Sequence, residues 1–270
     1  MGRLDPILIV GCGNMGGAML RGWLAAGIDP ARFTVVDPVL AAVPDGVTLL
    51  RELPEQVGET VVLGVKPQSF AELAAQLAPR IGPSTLVLSM LAGIELASLA
   101  QALPQARGWV RVMPNLAAAL GKSPLALAGR SLEPVVQDQV TALLAPLGTP
   151  EWMAEREFDL ATALVGSGPA FVYRFIDALA AGGAALGFAP AQAERLALAM
   201  VEGAAQLARQ SAQSPAELAR MVASPGGTTE AGLKVLDAGE ALEKLVAATL
   251  QAARDRGAEL AALAATPKEG

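Results

Sequence analysis

Histidine is absent from this 270-residue chain, and cysteine occurs once, as Cys12. Without imidazole as acid, base or ligand, Ser-His-Asp hydrolases, histidine zinc sites and histidine-dependent hydroxy-acid dehydrogenases are excluded. A lone thiol permits neither an internal disulfide nor a multi-cysteine metal site, so no metal is expected. Aromatic residues make up only 4% and charged residues 17%, against 53% hydrophobic residues, so core-forming material is plentiful. The net charge of -6 argues against broad nucleic-acid binding. No charge-free stretch reaches the roughly 18 apolar residues of a membrane span, and the longest candidate, residues 178–193, is broken by glycines and Pro190. Arg3 and Asp5 precede an apolar run too short for a secretory signal. A cytoplasmic protein with no membrane partner is expected.

The most informative stretch that is present runs Ile-Leu-Ile-Val-Gly-Cys-Gly-Asn-Met-Gly over residues 7–16. A short apolar strand leads into Gly11-x-Gly13-x-x-Gly16, and a helix-forming segment, residues 17–26, follows. Gly11 suits a tight turn, Gly13 lets backbone approach a pyrophosphate, and Gly16 lets helix press on strand. A plain strand-to-helix turn has the same glycines; the strand before, the helix after and Asp37 about 20 residues on favour a dinucleotide. Asp37 suits a ribose diol and repels a 2′-phosphate, and residues 38–44 hold no arginine or lysine. That predicts that NADH is at least accepted.

The chain divides in two. Residues 7–10, 33–37, 60–65, 85–89 and 109–112 read as strands, separated by helical stretches such as 69–79 and 95–103, which predicts a Rossmann-type, doubly wound parallel sheet. Residues 123–128 and 151–153 add strands around a helix over 134–144. Beyond residue 155 the β signal fades, and helices are expected from near Glu155, Pro169, Pro190, Pro215, Thr228 and Gly239. The expected fold is therefore α/β: a dinucleotide-binding domain, 1–154, followed by an all-helical domain, 155–270. Residues 170–186 carry Tyr173, Arg174 and Asp177 as their ionisable side chains, with Phe171, Phe175 and Leu179 at spacing four. A central core helix explains this pattern; burial between two subunits explains several such helices better.

Residues just past strand ends face the ligand crevice in such sheets. They are Lys66-Pro67, then Met90-Leu91-Ala92-Gly93, then Met113-Pro114-Asn115, and each is equally good loop punctuation. Ser224-Pro225-Gly226-Gly227-Thr228-Thr229 opens a later helix and forms either a nest for a small carboxylate or an ordinary turn with Thr228 or Thr229 as N-cap. Val165-Gly166-Ser167-Gly168-Pro169-Ala170 opens an earlier one, with Pro169 in its first turn.

Taken in order, Gly-Cys-Gly-Asn-Met-Gly at 11–16, Val-Lys-Pro at 65–67, Leu-Ala-Gly at 91–93, Arg-Val-Met-Pro-Asn at 111–115, Gly-Ser-Gly-Pro-Ala-Phe at 166–171 and Ser-Pro-Gly-Gly-Thr-Thr at 224–229 resemble the pyrroline-5-carboxylate reductases of proline biosynthesis. The last block is the specific one. The resemblance implies NADPH or NADH as cofactor, held by Gly11, Cys12, Gly13, Asn14, Met15, Gly16 and Asp37. Val65, Lys66, Pro67 and Asn115 would border it, with Met90, Leu91 and Ala92 at the nicotinamide end. It places the carboxylate of 1-pyrroline-5-carboxylate against Ser224, Gly227 and Thr228, and the catalytic Thr229 hydroxyl beside the ring nitrogen. Glu155 matches a family position near the site; taken alone, it reads as an exposed surface carboxylate. A homodimer or ring of dimers is implied. Leu116-Ala117 replaces the family's Thr-Pro, and the loop 118–121 before Lys122 is unusual; both changes bear on substrate range. The alternatives are a related imine or keto-acid reductase and a non-catalytic dinucleotide sensor.

Overall fold

In a computed structural model, residues 4–265 are described; the outermost residues of both expected domains, 1–3 and 266–270, lie outside them. The chain forms two compact units, one of residues 1–166 with 253–270, the other of residues 167–252.

The first unit is built on one eight-stranded sheet. Its strands are β1 (Ile7–Val10), β2 (Phe33–Val36), β3 (Thr48–Leu50), β4 (Thr60–Leu63), β5 (Leu86–Ser89), β6 (Gly108–Met113), β7 (Ser123–Arg130) and β8 (Gly148–Trp152). The spatial order is β3-β2-β1-β4-β5-β6-β7-β8. The run from β3 to β6 is parallel, as expected, whereas β7 pairs antiparallel with β6 and carries β8 parallel to itself. The order reverses at β1, between β2 and β4, and opens the crevice in which doubly wound sheets bind ligands.

Every residue of β1, β4, β5 and β6 is buried. Such strands are mostly apolar on both faces, and successive side chains divide between two cores. Ile7, Ile9, Val62, Leu86, Leu88 and Val110 pack on one side with α1 (Asn14–Ala25) and α4 (Pro134–Leu144). Leu8, Val10, Val61, Leu63 and Val87 pack on the other with α2 (Phe70–Leu77) and α3 (Leu96–Ala102). Trp23 of α1 stacks on Phe33 and donates its indole N–H to the Leu143 carbonyl of α4 at 2.7 Å, so its polar handle is satisfied in the core.

After β8 a 3-10 turn, Glu155–Glu157, leads into the short α5 (Phe158–Ala161) and a π-helical turn, Thr162–Gly166. The second unit contains α6 (Gly168–Ala185), α7 (Pro190–Gln210), α8 (Pro215–Val222) and α9 (Thr228–Asp237); α10 (Ala241–Ala265) runs across the division. Pro169 does fall in the first turn of α6. Gly239, at φ +61°, turns the chain between α9 and α10. No described helix is long and apolar enough to cross a membrane.

Candidate active site

β1 delivers the chain into the glycine turn, and each glycine answers to a contact. Gly11 has φ +82°, and a Cβ there would lie 2.7 Å from the Val65 amide nitrogen, so a side chain is barred by conformation and by space. A Cβ on Gly16 would come within 2.8 Å of the Gly11 carbonyl oxygen, which is why α1 can press on the turn. Gly13 is different: nothing lies within 4 Å of where its Cβ would be. The helix begins at Asn14, earlier than the expected residue 17, with Gly13 as N-cap and no side chain capping it. The Gly17 N–H bonds back to the Gly13 carbonyl, and the amides of Asn14, Met15 and Gly16 have no internal acceptor.

Gly13 borders two crevices. One, of about 660 Å³, lies over the carboxyl ends of β1, β2 and β4 and includes Gly11, Asp37, Arg51, Val65 and Lys66 in its lining. The other, of about 570 Å³, is lined by Cys12, Asn14, Arg21, Leu40 and Leu116 among others. Open backbone at Gly13, free first-turn amides and a long crevice at the sheet's switch point together fit a dinucleotide pyrophosphate.

Asp37 is more occupied than its sequence position suggests. Only 8% exposed, it accepts the Cys12 N–H on Oδ2 and the Val39 and Leu40 N–H groups on Oδ1, each at 3.0 Å. Burial opposes its ionisation, but the three backbone donors, aided by Arg51, outweigh it and hold the carboxyl below its ordinary pKa. The carboxylate thus fastens the glycine turn to the end of β2. Cys12 is buried, and its thiol pKa is raised, first by burial and then by the Asp37 charge. Its contribution to the turn is the backbone N–H.

The other expected residues separate into exposed and committed groups. Lys66 and Ala92 are exposed, Val65, Pro67 and Met90 half-buried, and Leu91 buried. Asn115 is buried and spent on structure: Oδ1 accepts the Ala117 N–H, Nδ2 donates to the Val165 carbonyl, and its own N–H donates to the Ser123 hydroxyl. Glu155, read from sequence as a surface carboxylate or a substrate contact, is half-buried and braces the fold. Its Oε1 accepts the Leu96 N–H at 2.7 Å and pairs at 3.2 Å with Arg111. Arg111 is 3% exposed and lies over the Phe158 ring, 4.1 Å from its centroid. Charge burial demanded the partner, but sequence spacing alone did not name it.

In the second unit, the Ser224–Thr229 block forms a tight turn. Gly226 has φ +73° and donates its N–H to Glu230, whose carboxylate also pairs with Lys234. Gly227 donates to the Ser224 carbonyl at 2.9 Å and is itself the N-cap of α9, so the expected threonine cap is replaced by glycine. Thr228 and Thr229 occupy the first turn and are exposed. The unpaired donors are the amides of Thr228, Thr229 and Glu230; the Gly227 amide is not among them.

Comparison with known proteins now adds extent to this geometry. Residues 155–260 match the family model described as pyrroline-5-carboxylate reductase dimerisation, and residues 6–93 match one described as NADP oxidoreductase, coenzyme F420-dependent. A pyrroline-5-carboxylate reductase of Pseudomonas aeruginosa is 38% identical over 264 residues, covering 94% of this chain and 96% of that protein. Pyrroline-5-carboxylate reductase 3 of Danio rerio is 33% identical over 259 residues, covering 93% and 90%. The structure of a pyrroline-5-carboxylate reductase from Coxiella burnetii superposes with a TM-score of 0.89 at 29% identity, covering 96% of this chain and 99% of that one. With likeness running through nearly the whole length of both partners, the chain belongs to the pyrroline-5-carboxylate reductase family.

Proposed function

We propose that this chain reduces 1-pyrroline-5-carboxylate to L-proline, with residues 1–154 holding the nucleotide and residues 155–270 binding the substrate and joining subunits. The observation that carries the reading is a repeated device. The turns at 11–16 and 224–229 each end in a helix whose first amides are unpaired, one set suited to a pyrophosphate and the other to a small carboxylate. Family membership selects the pair of ligands.

NADPH or NADH supplies the hydride. Gly13 and the amides of Asn14, Met15 and Gly16 hold the pyrophosphate, Val65, Lys66 and Pro67 border the crevice, and Met90, Leu91 and Ala92 flank the nicotinamide end. The Ser224 hydroxyl and the Thr228 and Thr229 amides take the substrate carboxylate. Glu230, adjacent to them, is offset by Lys234 at 3.2 Å. The Thr229 hydroxyl hydrogen-bonds the ring nitrogen and relays a proton from water. A protonated cyclic imine is already a good hydride acceptor, so orientation supplies most of the catalysis and no imidazole is needed. The helical part associates as a homodimer, or as a ring of dimers.

A spectrophotometric assay of cofactor oxidation with 1-pyrroline-5-carboxylate, run with NADPH and NADH in parallel, tests the reading. Turnover with formation of proline is expected. Tight cofactor binding with no turnover from either nucleotide would replace it with a dinucleotide sensor.

A further inference from the structure

At the end of the second strand of a dinucleotide-binding sheet stands the residue that faces the adenosine 2′ position. In this chain that residue is Asp37, and its carboxylate is turned to the backbone: three N–H groups occupy its oxygens, and little of it reaches solvent. A different group stands at the rim. Arg51, just beyond β3, reaches across to the β2 loop and donates from Nη1 to the Asp37 carbonyl at 2.9 Å and the Leu40 carbonyl at 2.6 Å. Nη1 spends its hydrogens on those two oxygens. The Nε–H and Nη2 hydrogens have no partner among the described residues, and the side chain is exposed beside the crevice it lines. A guanidinium anchored by one nitrogen with its remaining edge free is pre-organised for the fork geometry that a phosphate accepts. Glu52 and Glu72 also line this crevice, as do Lys66 and Arg80, so its charges are mixed. Arg80 is drawn away by the Pro54 and Gln76 carbonyls, to which it donates.

We propose that Arg51 is the specificity residue at the adenosine end: its guanidinium takes a 2′-phosphate, so that the chain uses NADPH although β2 is followed by an aspartate. The inference rests on the dinucleotide-reductase reading above. It also opposes the expectation drawn from Asp37 and residues 38–44, because the decisive cation lies outside that loop in sequence and reaches it across the β2–β3 pair.

Binding without turnover tests it. Intact wild-type protein and the Arg51→Gln and Arg51→Lys variants are titrated calorimetrically with adenosine 2′,5′-bisphosphate and with AMP. Wild type is expected to prefer the bisphosphate, and Arg51→Gln to reduce that preference by about ten- to a hundredfold, the range of one charge-assisted hydrogen-bonded contact. Arg51→Lys, which keeps the charge and loses the fork, is expected to lie between them. The NADPH-to-NADH ratio of kcat/KM should fall in step. Arg51 also fastens the 37–40 loop, but a loosened loop weakens both ligands together and leaves the preference intact. An unchanged preference in Arg51→Gln, or no preference in wild type, overturns this inference alone; failure of both adenosine ligands to bind overturns the dinucleotide reading with it.

Discussion

Thr229 has a hydroxyl that the fold does not consume. Gly227 caps α9, Thr229 lies exposed in the first turn, and no described group bonds its side chain. Thr229→Ala is therefore expected to leave the melting temperature nearly unchanged, since the roughly 1 kcal/mol lost with a threonine cap is not at stake. Turnover is expected to drop by about 10² to 10⁴, the range for a positioned proton-transfer group. Ser224→Ala should instead raise the substrate KM more than it lowers kcat, because a carboxylate contact exists in ground and transition states alike. Steady-state kinetics and thermal melts on the same samples decide, and a fully active Thr229→Ala protein would remove the catalytic assignment. Asp37 carries a stability term of opposite character. Its folded pKa lies below the unfolded value, so the term is fully present above the unfolded pKa and is lost as pH falls through the folded one. Asp37→Asn sets an amide donor against the Cys12 or the Val39 and Leu40 N–H groups and should cost about 1–3 kcal/mol at pH 7, the price of an unsatisfied buried donor. Urea unfolding at pH 7 and at successive values below about 4 should show that gap closing, and a gap that does not change with pH would refute the account.

Two adjacent glycines in α1 behave oppositely because of what lies opposite each. A Cβ on Gly16 would lie 2.8 Å from the Gly11 carbonyl oxygen, backbone that cannot yield without opening the turn, whereas one on Gly17 would meet the far end of the Arg21 side chain at 3.2 Å. Gly17→Ala is expected to stabilise the protein by about 0.5–1 kcal/mol through helix propensity, and Gly16→Ala to destabilise it and weaken nucleotide binding. Chemical denaturation and nucleotide titration of both variants check this, and equal tolerance at the two positions would contradict the contact argument. Sequence spacing does not separate the two positions, because it conveys helix phase but not the distance to the turn. The same distinction separates the elements that sequence reveals from those it hides. β1, β4 and β5 are fully buried and, apart from Thr60 and Ser89 at strand ends, wholly apolar, so the strands are plain in the residues. β3 is a three-residue edge strand, partly exposed and paired with β2 alone, and leaves no such run. The reversal of β7 is likewise invisible in composition. Its sign is the short link through residues 114–122, too brief for a parallel crossover and filled by the 3-10 turn Leu116–Leu120. The glycine turn and the 224–229 turn are readable because their glycines mark them locally, while Arg51 and the Arg111–Glu155 brace join residues distant in sequence.

The second unit does not bury enough of itself to stand alone. Among its described residues, Ala193 and Ala197 are the buried hydrophobic side chains. Meanwhile Val172, Phe175, Leu198, Met221 and Val235 are exposed, Tyr173 is 67% exposed and Leu186 92%. Helices this apolar with so little covered surface need a partner, because monomeric proteins rarely leave large apolar patches open and small domains depend on the fraction of surface they bury. A second copy of the same helices is the self-complementary solution, as the match of residues 155–260 to a dimerisation family model also suggests. An obligate interface of this type buries roughly 2,000 Å² or more. Dilution should therefore fail to release an active monomer, and a charge placed in the apolar set, as in Phe175→Glu, should cost assembly and activity together. Sedimentation velocity over a range of concentrations, with activity measured on the same samples, distinguishes the outcomes. Wild type sedimenting as a monodisperse monomer with full activity would show that these side chains serve another purpose. A Phe175→Glu protein that stays both dimeric and active would remove that residue from the interface.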